Sequence, residues 1–396
     1  MANWQSLPFE ECIEPVVYTA KVQRKDFLTD GAYPVVSQEE AFVNGFWDQE
    51  ADIFRVERPL VVFGDHTRAL KYIDFDFVLG ADGVKVLKPK PFLHPRFFYY
   101  QLHTAKLDSL GYARHYRLLK EHRVAFPAYA EQRRIVAILD EAFEGIATAK
   151  VNAQKNLQNA REVFASRMQV LFGQDESWER VQLEELLTRG WITSHLDGNH
   201  GGDYPRKEEF VDAGVPYIAA SAIKSGVVDF DEAKYLSPQR AASIRKGLAK
   251  DRDVLFAHNA TVGPVAILST DEDFVILGTS LTYYRCAPQH IHPEYLAHFM
   301  LSPTFTSQYA QVMKQSTRNQ VPITKQREFF HVIPPIDVQR RIADDLDELS
   351  TQTERLADIE TRKLVALGEL KKSVLHQAFA GALTSKSAGN QVAEVA

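Results

Sequence analysis

Two stretches of this chain decide its fold: Pro-Ala-Tyr-Ala-Glu-Gln-Arg-Arg-Ile at residues 127–135 and Pro-Pro-Ile-Asp-Val-Gln-Arg-Arg-Ile at residues 334–342. The second copy begins 207 residues after the first, and the correspondence continues without a gap as far as Phe172 and Phe379. A repeat of long, fixed period indicates a duplicated structural unit. Because a longer, strand-like segment precedes each copy, the sequence predicts a variable domain followed by a long helix, twice in succession.

Apolar residues recur along both copies at steps of mostly four and three, which is typical of a coiled-coil seam. We predict one helix over residues 130–172 and another over about residues 337–381. The first would be roughly 60 Å long at 1.5 Å per residue, too long to be buried in a small domain, so it needs a partner helix. The predicted seam positions are 135, 139, 142, 146, 149, 153, 157, 160, 164, 168 and 171 in the first helix, and Ile342, Leu346, Leu349, Leu356, Ile359, Leu367, Val374 and Ala378 in the second.

The segments before the two helices are mixed and mostly β. Short apolar, β-branched runs predict strands at residues 32–37 and 59–63, and residues 74–80 and 84–87 predict two strands around a turn at 81–83. Residues 95–108 predict a short aromatic helix that begins with Pro95. The second segment repeats these features, which predicts that both domains share a fold and differ in their loops. Residues 214–221, 253–258, 273–278 and 292–295 parallel residues 31–37, 60–65, 76–80 and 94–97.

Composition limits the class of protein. A chain of 396 residues with 45% hydrophobic residues has room for two or three domains with sizeable cores. The two cysteines are far apart, and the chain shows neither a signal sequence nor an apolar run able to span a bilayer, so we expect a reduced, cytoplasmic protein. The net charge of −6, with no cationic segment, argues mildly against nucleic acid. A local basic face shared with partner subunits would still suffice for DNA.

The doubled Pro-x4-Gln-Arg-Arg-Ile-x3-Leu-Asp pattern, at residues 127–140 and 334–347, leads each time into a long helix. This arrangement resembles the DNA-specificity subunit of type I restriction–modification systems, over nearly the whole chain. Residues 63–68 with 77–83 also resemble one recurring class of target-recognition domain. The resemblance implies an α+β fold in which two long antiparallel coiled-coil helices separate two β-rich target-recognition domains with pseudo-twofold symmetry. The implied divisions are a first domain at 1–126, a spacer helix at 127–175, a second domain at 176–333, a spacer helix at 334–383 and a flexible tail at 384–396.

The same resemblance implies a non-catalytic subunit. Each domain would read one half of a split site in double-stranded DNA, and the helices would dock two methyltransferase subunits, with restriction/translocase subunits joining for cleavage. This chain would bind no cofactor, while S-adenosylmethionine, ATP and Mg would belong to the partner subunits. A pseudo-twofold protein also matches the approximate twofold symmetry of duplex DNA.

Direct reading of bases requires forked donors and acceptors on loops that can enter a groove. In the first domain, two loops have this composition, residues 64–68 and residues 112–117. The simpler alternatives are a polar turn for the former and a solvated loop for the latter. The candidate DNA-binding residues are His66, Thr67, Arg68 and Lys71, and Arg114, His115, Tyr116 and Arg117.

The second domain has corresponding loops at residues 257–263 and 315–320. The latter is the densest group of base-reading side chains in the sequence, and its position matches residues 112–117 of the first domain. The glycine-rich stretch at 199–207 fits phosphate contact and a plain exposed loop equally well. The candidate DNA-binding residues are His258, Asn259 and Thr261, and Ser316, Thr317, Arg318, Asn319 and Gln320.

The first turns of both helices carry a Gln-Arg-Arg group. Cations at a helix N-terminus oppose the helix dipole, and a partner subunit or a phosphate would offset that cost. A structural bond to the adjacent domain is an equally good explanation, so both interpretations stay open. The residues are Gln132, Arg133, Arg134, Gln339, Arg340 and Arg341.

Motifs of catalysis are missing from the sequence. We find no Asn/Asp-Pro-Pro-Tyr/Phe stretch of an amino-methyltransferase, no glycine-rich loop after a strand and no phosphate loop. We therefore predict no catalytic residue and no metal site. Two competing hypotheses are a scaffold protein with two β-rich binding domains on a coiled coil, which the lack of positive charge favours, and a nuclease acting alone, for which Glu232-Ala233-Lys234 is only a short, common match.

Overall fold

The computed structural model describes residues 4–108, 111, 113–173, 177–198, 204–314 and 319–380. The chain divides into two compact units. Unit 1 comprises residues 1–154 and 361–396, and unit 2 comprises residues 155–360. Each unit therefore contains one β-rich domain together with a part of both long helices.

Unit 1 contains two sheets and a short strand pair. One sheet has the order β2-β10-β7-β8, and the other has the order β3-β9-β4-β5 with β6 also paired to β9. The strand pair joins β1 to β11, directly before the first long helix. The elements are β1 (Gln5–Pro8), β2 (Ile13–Glu14), β3 (Lys21–Val22), β4 (Tyr33–Val36), β5 (Gly45–Trp47), β6 (Ile53–Phe54), β7 (Leu60–Gly64), β8 (Leu70–Ile73), β9 (Phe77–Gly80), β10 (Val84–Pro89), α1 (Pro95–Leu102), α2 (Tyr116–Lys120), β11 (Arg123–Phe126) and α3 (Tyr129–Gly173), which continues into unit 2.

Unit 2 repeats this plan and adds a separate strand pair, β16-β17. Its sheets have the orders β13-β23-β20-β21 and β14-β18-β15-β22-β19, and the pair β12-β24 precedes the second long helix. The elements are β12 (Glu179–Gln182), α4 (Leu183–Thr188), β13 (Ile192–Asp197), β14 (Phe210–Val211), β15 (Val215–Ile218), β16 (Ile223–Lys224), β17 (Val227–Val228), β18 (Lys234–Leu236), α5 (Pro238–Ser243), β19 (Leu248–Ala249), β20 (Val254–Asn259), β21 (Thr261–Ile267), β22 (Val275–Leu277), β23 (Leu281–Cys286), α6 (Pro293–Leu301), α7 (Pro303–Lys314), α8 (Ile323–Gln326), β24 (Phe330–Ile333) and α9 (Ile336–Phe379).

The two β-rich domains share one topology. In unit 1, β4 runs parallel to β9, and β6 joins β9 antiparallel. In unit 2, β15 runs parallel to β22, and β19 joins β22 antiparallel. The predicted α+β class, with a duplicated β-rich domain and two long helices, is confirmed.

The two long helices pair antiparallel within each unit. In unit 1, Lys371 lies 5.1 Å from the ring of Phe143. In unit 2, Arg167 forms an ion pair with Asp345 at 2.5 Å. Every predicted seam residue of α3 is buried or half-buried, so the seam of the first helix is confirmed.

The predicted seam of the second helix is wrong in its middle. Leu356 is 40% exposed and Ile359 is 59% exposed. Glu360 faces α3 in their place, because Asn156 donates a hydrogen bond to its carboxylate at 3.0 Å and so compensates for its burial. The apolar spacing predicted the helix correctly, but a polar contact with the partner helix sets which side turns inward.

The predicted pairing of strands around residues 81–83 is also wrong. β9 lies in the sheet with β4, whereas β10 pairs with β2 and β7 in the other sheet. Every residue of β9 is buried, as expected for a strand covered on both faces, so it pairs inside a mixed sheet rather than in a local hairpin. The turn carries the chain from one sheet to the next.

The cores join each domain to the adjoining helix segments. In unit 1, Phe97 and Phe98 of α1 pack in one cluster with Ile135, Leu139 and Ala378. In unit 2, the main cluster combines Tyr295 and Phe299 of α6 with Phe172, Ile342 and Leu346. Each helix start is thus packed into the core of its own domain. Across the described ranges, no helix combines the length and apolar character needed to cross a membrane.

Candidate functional site

The two candidate loops of unit 1 are in direct contact, although about 50 residues of sequence lie between them. The backbone N–H of His115 donates to the carbonyl oxygen of Asp65 at 2.7 Å. The N–H of Tyr116 donates to the Asp65 carboxylate at 2.8 Å, and the imidazole Nδ1 of His115 lies 3.0 Å from the Asp65 carbonyl oxygen. Asp65 and His115 are both buried, so these bonds fasten the loops together beneath the surface.

The turn that follows β7 is held from a third segment. The Thr67 hydroxyl donates to the Gln38 carbonyl oxygen, and the His66 N–H donates to the Gln38 side chain at 3.1 Å. Gly64 is required here, because a Cβ atom would lie 2.6 Å from the Gln38 carbonyl oxygen. Arg68, with φ of 63°, is exposed and donates to the Leu107 carbonyl oxygen at 2.9 Å. Thr67 and Arg68 are therefore presented on a turn with a fixed backbone.

Lys71 is placed differently from the other candidate residues of this loop. It is only 3% exposed. Its ammonium group donates to the Ala41 carbonyl oxygen and to the Asn44 side chain, the latter at 3.0 Å. Burial lowers the pKa of Lys71 to about 8. In this structure, Lys71 holds residues 41–44 and does not face solvent.

Unit 2 joins its two candidate loops by the same kind of contact. The Val321 N–H donates to the carbonyl oxygen of His258 at 2.8 Å, and the His258 Nδ1 lies 3.0 Å from the Val321 carbonyl oxygen. The Ala260 N–H donates to the Asn319 carbonyl oxygen at 2.9 Å, and the Asn319 side-chain amide donates back to Ala260. His258 is buried, whereas Thr261 and Asn319 are exposed and Asn259 and Gln320 are half-buried.

The sequence parallel between the domains thus extends to tertiary contacts. Asp65 corresponds to His258, and each accepts a backbone hydrogen bond from the second loop of its own unit. Arg114 and Arg117 are exposed beside the first contact. Some residues of the predicted loops lie outside the described residues: Tyr112, residues 199–203, Gln315, Ser316, Thr317 and Arg318.

Sequence reasoning missed a buried polar centre behind the loops of unit 2. Gln326, fully buried in α8, accepts hydrogen bonds from the hydroxyls of Thr282 and Tyr284, both at 3.0 Å. Its amide donates to the Val321 carbonyl oxygen at 3.2 Å, and the His195 Nε2 lies 3.1 Å from its oxygen. Gln326 therefore ties the second loop to the sheet. A lone glutamine in a four-residue helix carries no local signal of this role.

Two buried histidines adjoin this centre. Burial lowers the pKa of His195 to about 4 and that of His331 to about 4, because an imidazolium ion in an apolar surrounding loses its hydration. Both side chains are therefore neutral at pH 7. They act as parts of the core and not as charged groups toward a ligand.

The glutamine of each repeated motif binds the adjacent domain. Gln132 is fully buried, accepts a hydrogen bond from the His94 N–H at 2.8 Å, and donates to the carbonyl oxygens of Phe92 and Pro127, both at 2.9 Å. Gln339 makes the same set of bonds. It accepts from the His292 N–H at 2.9 Å and donates to the carbonyl oxygens of His290 at 2.9 Å and Pro334 at 2.8 Å. The bonds of the two glutamines support the domain-orienting interpretation.

The arginines of the motif are exposed. Arg134 forms an ion pair with Glu131 at 2.7 Å, and Arg340 lies 3.5 Å from Asp337. Arg133 and Arg341 are also at the surface. Further along each long helix, the aspartate of the motif contacts the short aromatic helix of the same unit. Asp140 pairs with Arg96 of α1 at 3.0 Å, and Asp347 pairs with His298 of α6 at 2.6 Å. A partner-binding role for the arginines stays a prediction.

Within residues 4–108, 111, 113–173, 177–198, 204–314 and 319–380, no group of three or more His, Cys, Asp or Glu side chains has a geometry able to hold a metal ion. The chemistry of the described loops is that of hydrogen-bond donors and acceptors: hydroxyls, amides and guanidinium groups. Such groups recognise a ligand by its polar edges.

Comparison with known proteins shows what this chain is similar to. Residues 175–362 match the family model described as type I restriction modification DNA specificity domain. The chain is 20% identical over 288 residues to the type I restriction enzyme EcoBI specificity subunit of Escherichia coli, covering 68% of this chain and 60% of that protein. It is 25% identical over 238 residues to the EcoR124I/EcoR124II specificity subunit of Escherichia coli, covering 55% of this chain and 54% of that protein. The matched region thus spans little more than half the length of these relatives.

Solved structures support the fold over the full chain. A chain from the structure describing complex assembly and conformational transition of the type I R-M system matches with a TM-score of 0.71 and 17% identity, covering 96% of this chain and 98% of that chain. The HsdS subunit from Thermoanaerobacter tengcongensis matches with a TM-score of 0.56 and 17% identity, covering 96% of this chain and 97% of that chain. The predicted family resemblance is confirmed.

Proposed function

We propose that this chain, in which residues 175–362 match the type I restriction modification DNA specificity domain, is the sequence-reading subunit of a type I restriction–modification complex. Each β-rich domain reads one half of a bipartite site in double-stranded DNA. The long helices set the distance between the halves and dock two methyltransferase subunits. Restriction/translocase subunits join the complex for cleavage.

One observation carries the proposal: both units fasten two polar loops to each other through a backbone bond to Asp65 or to its counterpart His258. Groups that read bases must be held in fixed positions, because discrimination between bases depends on hydrogen-bond geometry. The exposed groups that would contact bases are Thr67, Arg68, Arg114 and Arg117 in unit 1 and Thr261 and Asn319 in unit 2. Half-buried residues of the same loops would also contribute: His66, Tyr116, Asn259 and Gln320. The sequence adds Ser316, Thr317 and Arg318, which lie outside the described residues. Lys71, His115 and His258 support the loops from within.

Exposed apolar residues on the long helices support the docking of partner subunits. In unit 2, Val163 is 52% exposed and Ile359 is 59% exposed, and in unit 1, Val365 is 65% exposed. These aliphatic side chains lie at the surface of the helices, where they are available for contact with another protein. Catalysis and the binding of S-adenosylmethionine, ATP and Mg are assigned to those partner subunits.

The test is a footprint of the full chain with its methyltransferase subunits on DNA that contains the target site. The proposal expects two protected half-sites separated by a gap of fixed length. Protection of one continuous site, or no protection even at low salt, would refute it.

A further inference from the structure

A tyrosine of the N-terminal segment is docked on strand β10 in unit 1. The backbone N–H of Val86 donates a hydrogen bond to the Tyr18 hydroxyl at 3.1 Å. The ammonium group of Lys21 lies 5.0 Å from the centre of the Tyr18 ring. Tyr18 therefore brings Lys21 to the part of β10 that carries Lys85, the residue before Val86.

A second tyrosine contacts two lysines. The ammonium group of Lys85 lies 5.3 Å from the centre of the Tyr116 ring, and that of Lys120 lies 5.5 Å from it. Tyr116 directly follows His115, which is bonded to the reading turn through Asp65. The lysines thus adjoin the loop pair that the proposed function assigns to base reading. Attraction to the ring faces holds each ammonium group without neutralising it.

The positive charges of this patch act on one another. Burial lowers the pKa of Lys21, and the charges of Lys85 and Arg114 lower it further, while Asp82 acts in the opposite direction. Lys120 is paired with Glu10 at 2.7 Å. Among the described residues, Lys21, Lys85 and Arg114 form no salt bridge with a carboxylate, whereas Arg55, Arg58 and Lys88 of the same unit do. Cations gathered without neutralising partners keep their charge available to an external anion.

Unit 2 differs at the position that corresponds to Lys85. Lys85 lies opposite Phe63 in the β10–β7 pair, and Thr282 lies opposite Phe256 in the β23–β20 pair. Thr282 is fully buried and donates its hydroxyl to Gln326 at 3.0 Å. The same place in the fold therefore carries a half-buried lysine in unit 1 and a buried structural hydroxyl in unit 2.

We propose that Lys21 and Lys85, which lie against the rings of Tyr18 and Tyr116, form a phosphate-binding patch with the exposed Arg114, and that unit 1 holds the DNA backbone through this patch beside the bases it reads. The inference rests on the proposed function and adds that unit 1 has a phosphate contact at Lys85 that unit 2 lacks at the corresponding Thr282. Phosphate contacts fix the position of a protein on the duplex and are independent of sequence, whereas the loop residues select bases. Removal of a patch lysine should weaken binding to all sequences alike and reduce its salt dependence.

The test measures the affinity of the full chain, in complex with its methyltransferase subunits, for a fluorescent mixed-sequence DNA duplex over a series of sodium chloride concentrations. The variants are Lys85→Gln and Lys21→Gln. The matched control is Lys224→Gln in unit 2, since Lys224 is exposed and already paired with Asp229 at 2.7 Å and Glu232 at 3.1 Å. Melting temperatures verify that each variant is folded. If Lys85→Gln does not fold, Lys21→Gln still tests the patch.

Each patch variant should make the slope of log affinity against log salt concentration shallower by about 0.9, the value for one lost phosphate contact. The Lys224→Gln control should keep the wild-type slope. A wild-type slope in both patch variants, or an equal change in the control, overturns the patch and leaves the proposed function standing. Absence of wild-type binding at low salt overturns the proposed function and the patch together.

Discussion

The backbone N–H of His115 donates to the carbonyl oxygen of Asp65 at 2.7 Å and fixes the second loop of unit 1 against the turn that ends β7. Val321 makes the equivalent bond to His258 in unit 2 at 2.8 Å. Because these bonds use backbone atoms, the exposed side chains of the loops can change without loss of the loop geometry. This arrangement suits a pair of domains that keep one fold and differ in what they read.

Gln132→Ala should destabilise unit 1 by roughly 2–4 kcal/mol, because it leaves the carbonyl oxygens of Phe92 and Pro127 and the N–H of His94 without their bonds. Gln339→Ala should have an equal effect on unit 2. Urea denaturation of both variants measures the loss. Arg133→Ala and Arg341→Ala are the controls, since those side chains are exposed and should change stability by only about 0.5 kcal/mol. A loss as small for the glutamines as for the arginines would show that the motif does not orient helix and domain.

Stability should depend on pH through the buried histidines of unit 2. The pKa values of His195 and His331 lie near 4, below the ordinary value of 6.5, because burial disfavours their charged forms. Between pH 6.5 and 4 the unfolded chain binds protons that the folded unit excludes. The stability that the two neutral histidines contribute is therefore fully present above pH 6.5 and is lost as the pH falls through this range. The loss at pH 5 should be on the order of 1–2 kcal/mol per histidine.

His331→Phe provides the comparison for this pH effect. The His331 ring lies among Tyr284, Phe299 and Phe305, with centroids 5.5 to 6.1 Å away, so a phenyl ring fits the same surroundings without titrating. Urea midpoints at pH 7.5 and pH 5 should differ less in the variant than in the wild type. Identical differences in the two proteins would mean that His331 is not protonated on unfolding in this range.

Neither cysteine should react readily with thiol reagents in the folded protein. Burial raises the pKa of Cys12 to about 11 and also raises that of Cys286, so little thiolate forms at neutral pH. We expect slow reaction with Ellman's reagent under native conditions and reaction of both thiols in guanidinium chloride. Cys286 is half-buried in unit 2, so fast native labelling of this residue would contradict the raised pKa of its thiol.

Arg318→Ala should weaken the reading of one half-site only. Arg318 lies outside the described residues, but its neighbours Asn319 and Gln320 contact the β20 turn through Ala260 and Asn259. Binding to duplexes with substitutions in either half measures the effect, and Lys325→Gln serves as control because Lys325 is paired with Glu328 at 2.9 Å. An equal loss at both halves would make Arg318 a structural residue or a general phosphate contact.

The long helices and the duplicated domains were predictable from the sequence, because apolar spacing and a fixed repeat are properties of the chain itself. The side of α9 that faces α3 near Leu356 and Ile359 was not, since Asn156 and Glu360 form their bond only when the helices meet. The polar loops were found as clusters of donor side chains. Their mutual contact was not predictable, because it joins residues about 50 positions apart through backbone atoms.

The supporting residues left even less trace in the sequence. Gln326, Lys21 and Lys85 stand singly among unrelated neighbours, and only the fold gathers them around Tyr284, Tyr18 and Tyr116. The buried position of Lys71 was equally hidden, because a lysine in an exposed turn and one bonded to carbonyl oxygens look the same in one dimension.

The most direct test of the central claim is the sequencing of methylated adenines in DNA from cells that carry this chain with its methyltransferase subunit. The account predicts a single motif made of two specific half-sites separated by a gap of fixed length and unspecified bases. A continuous motif without a gap, or no methylation that depends on this chain, would contradict it.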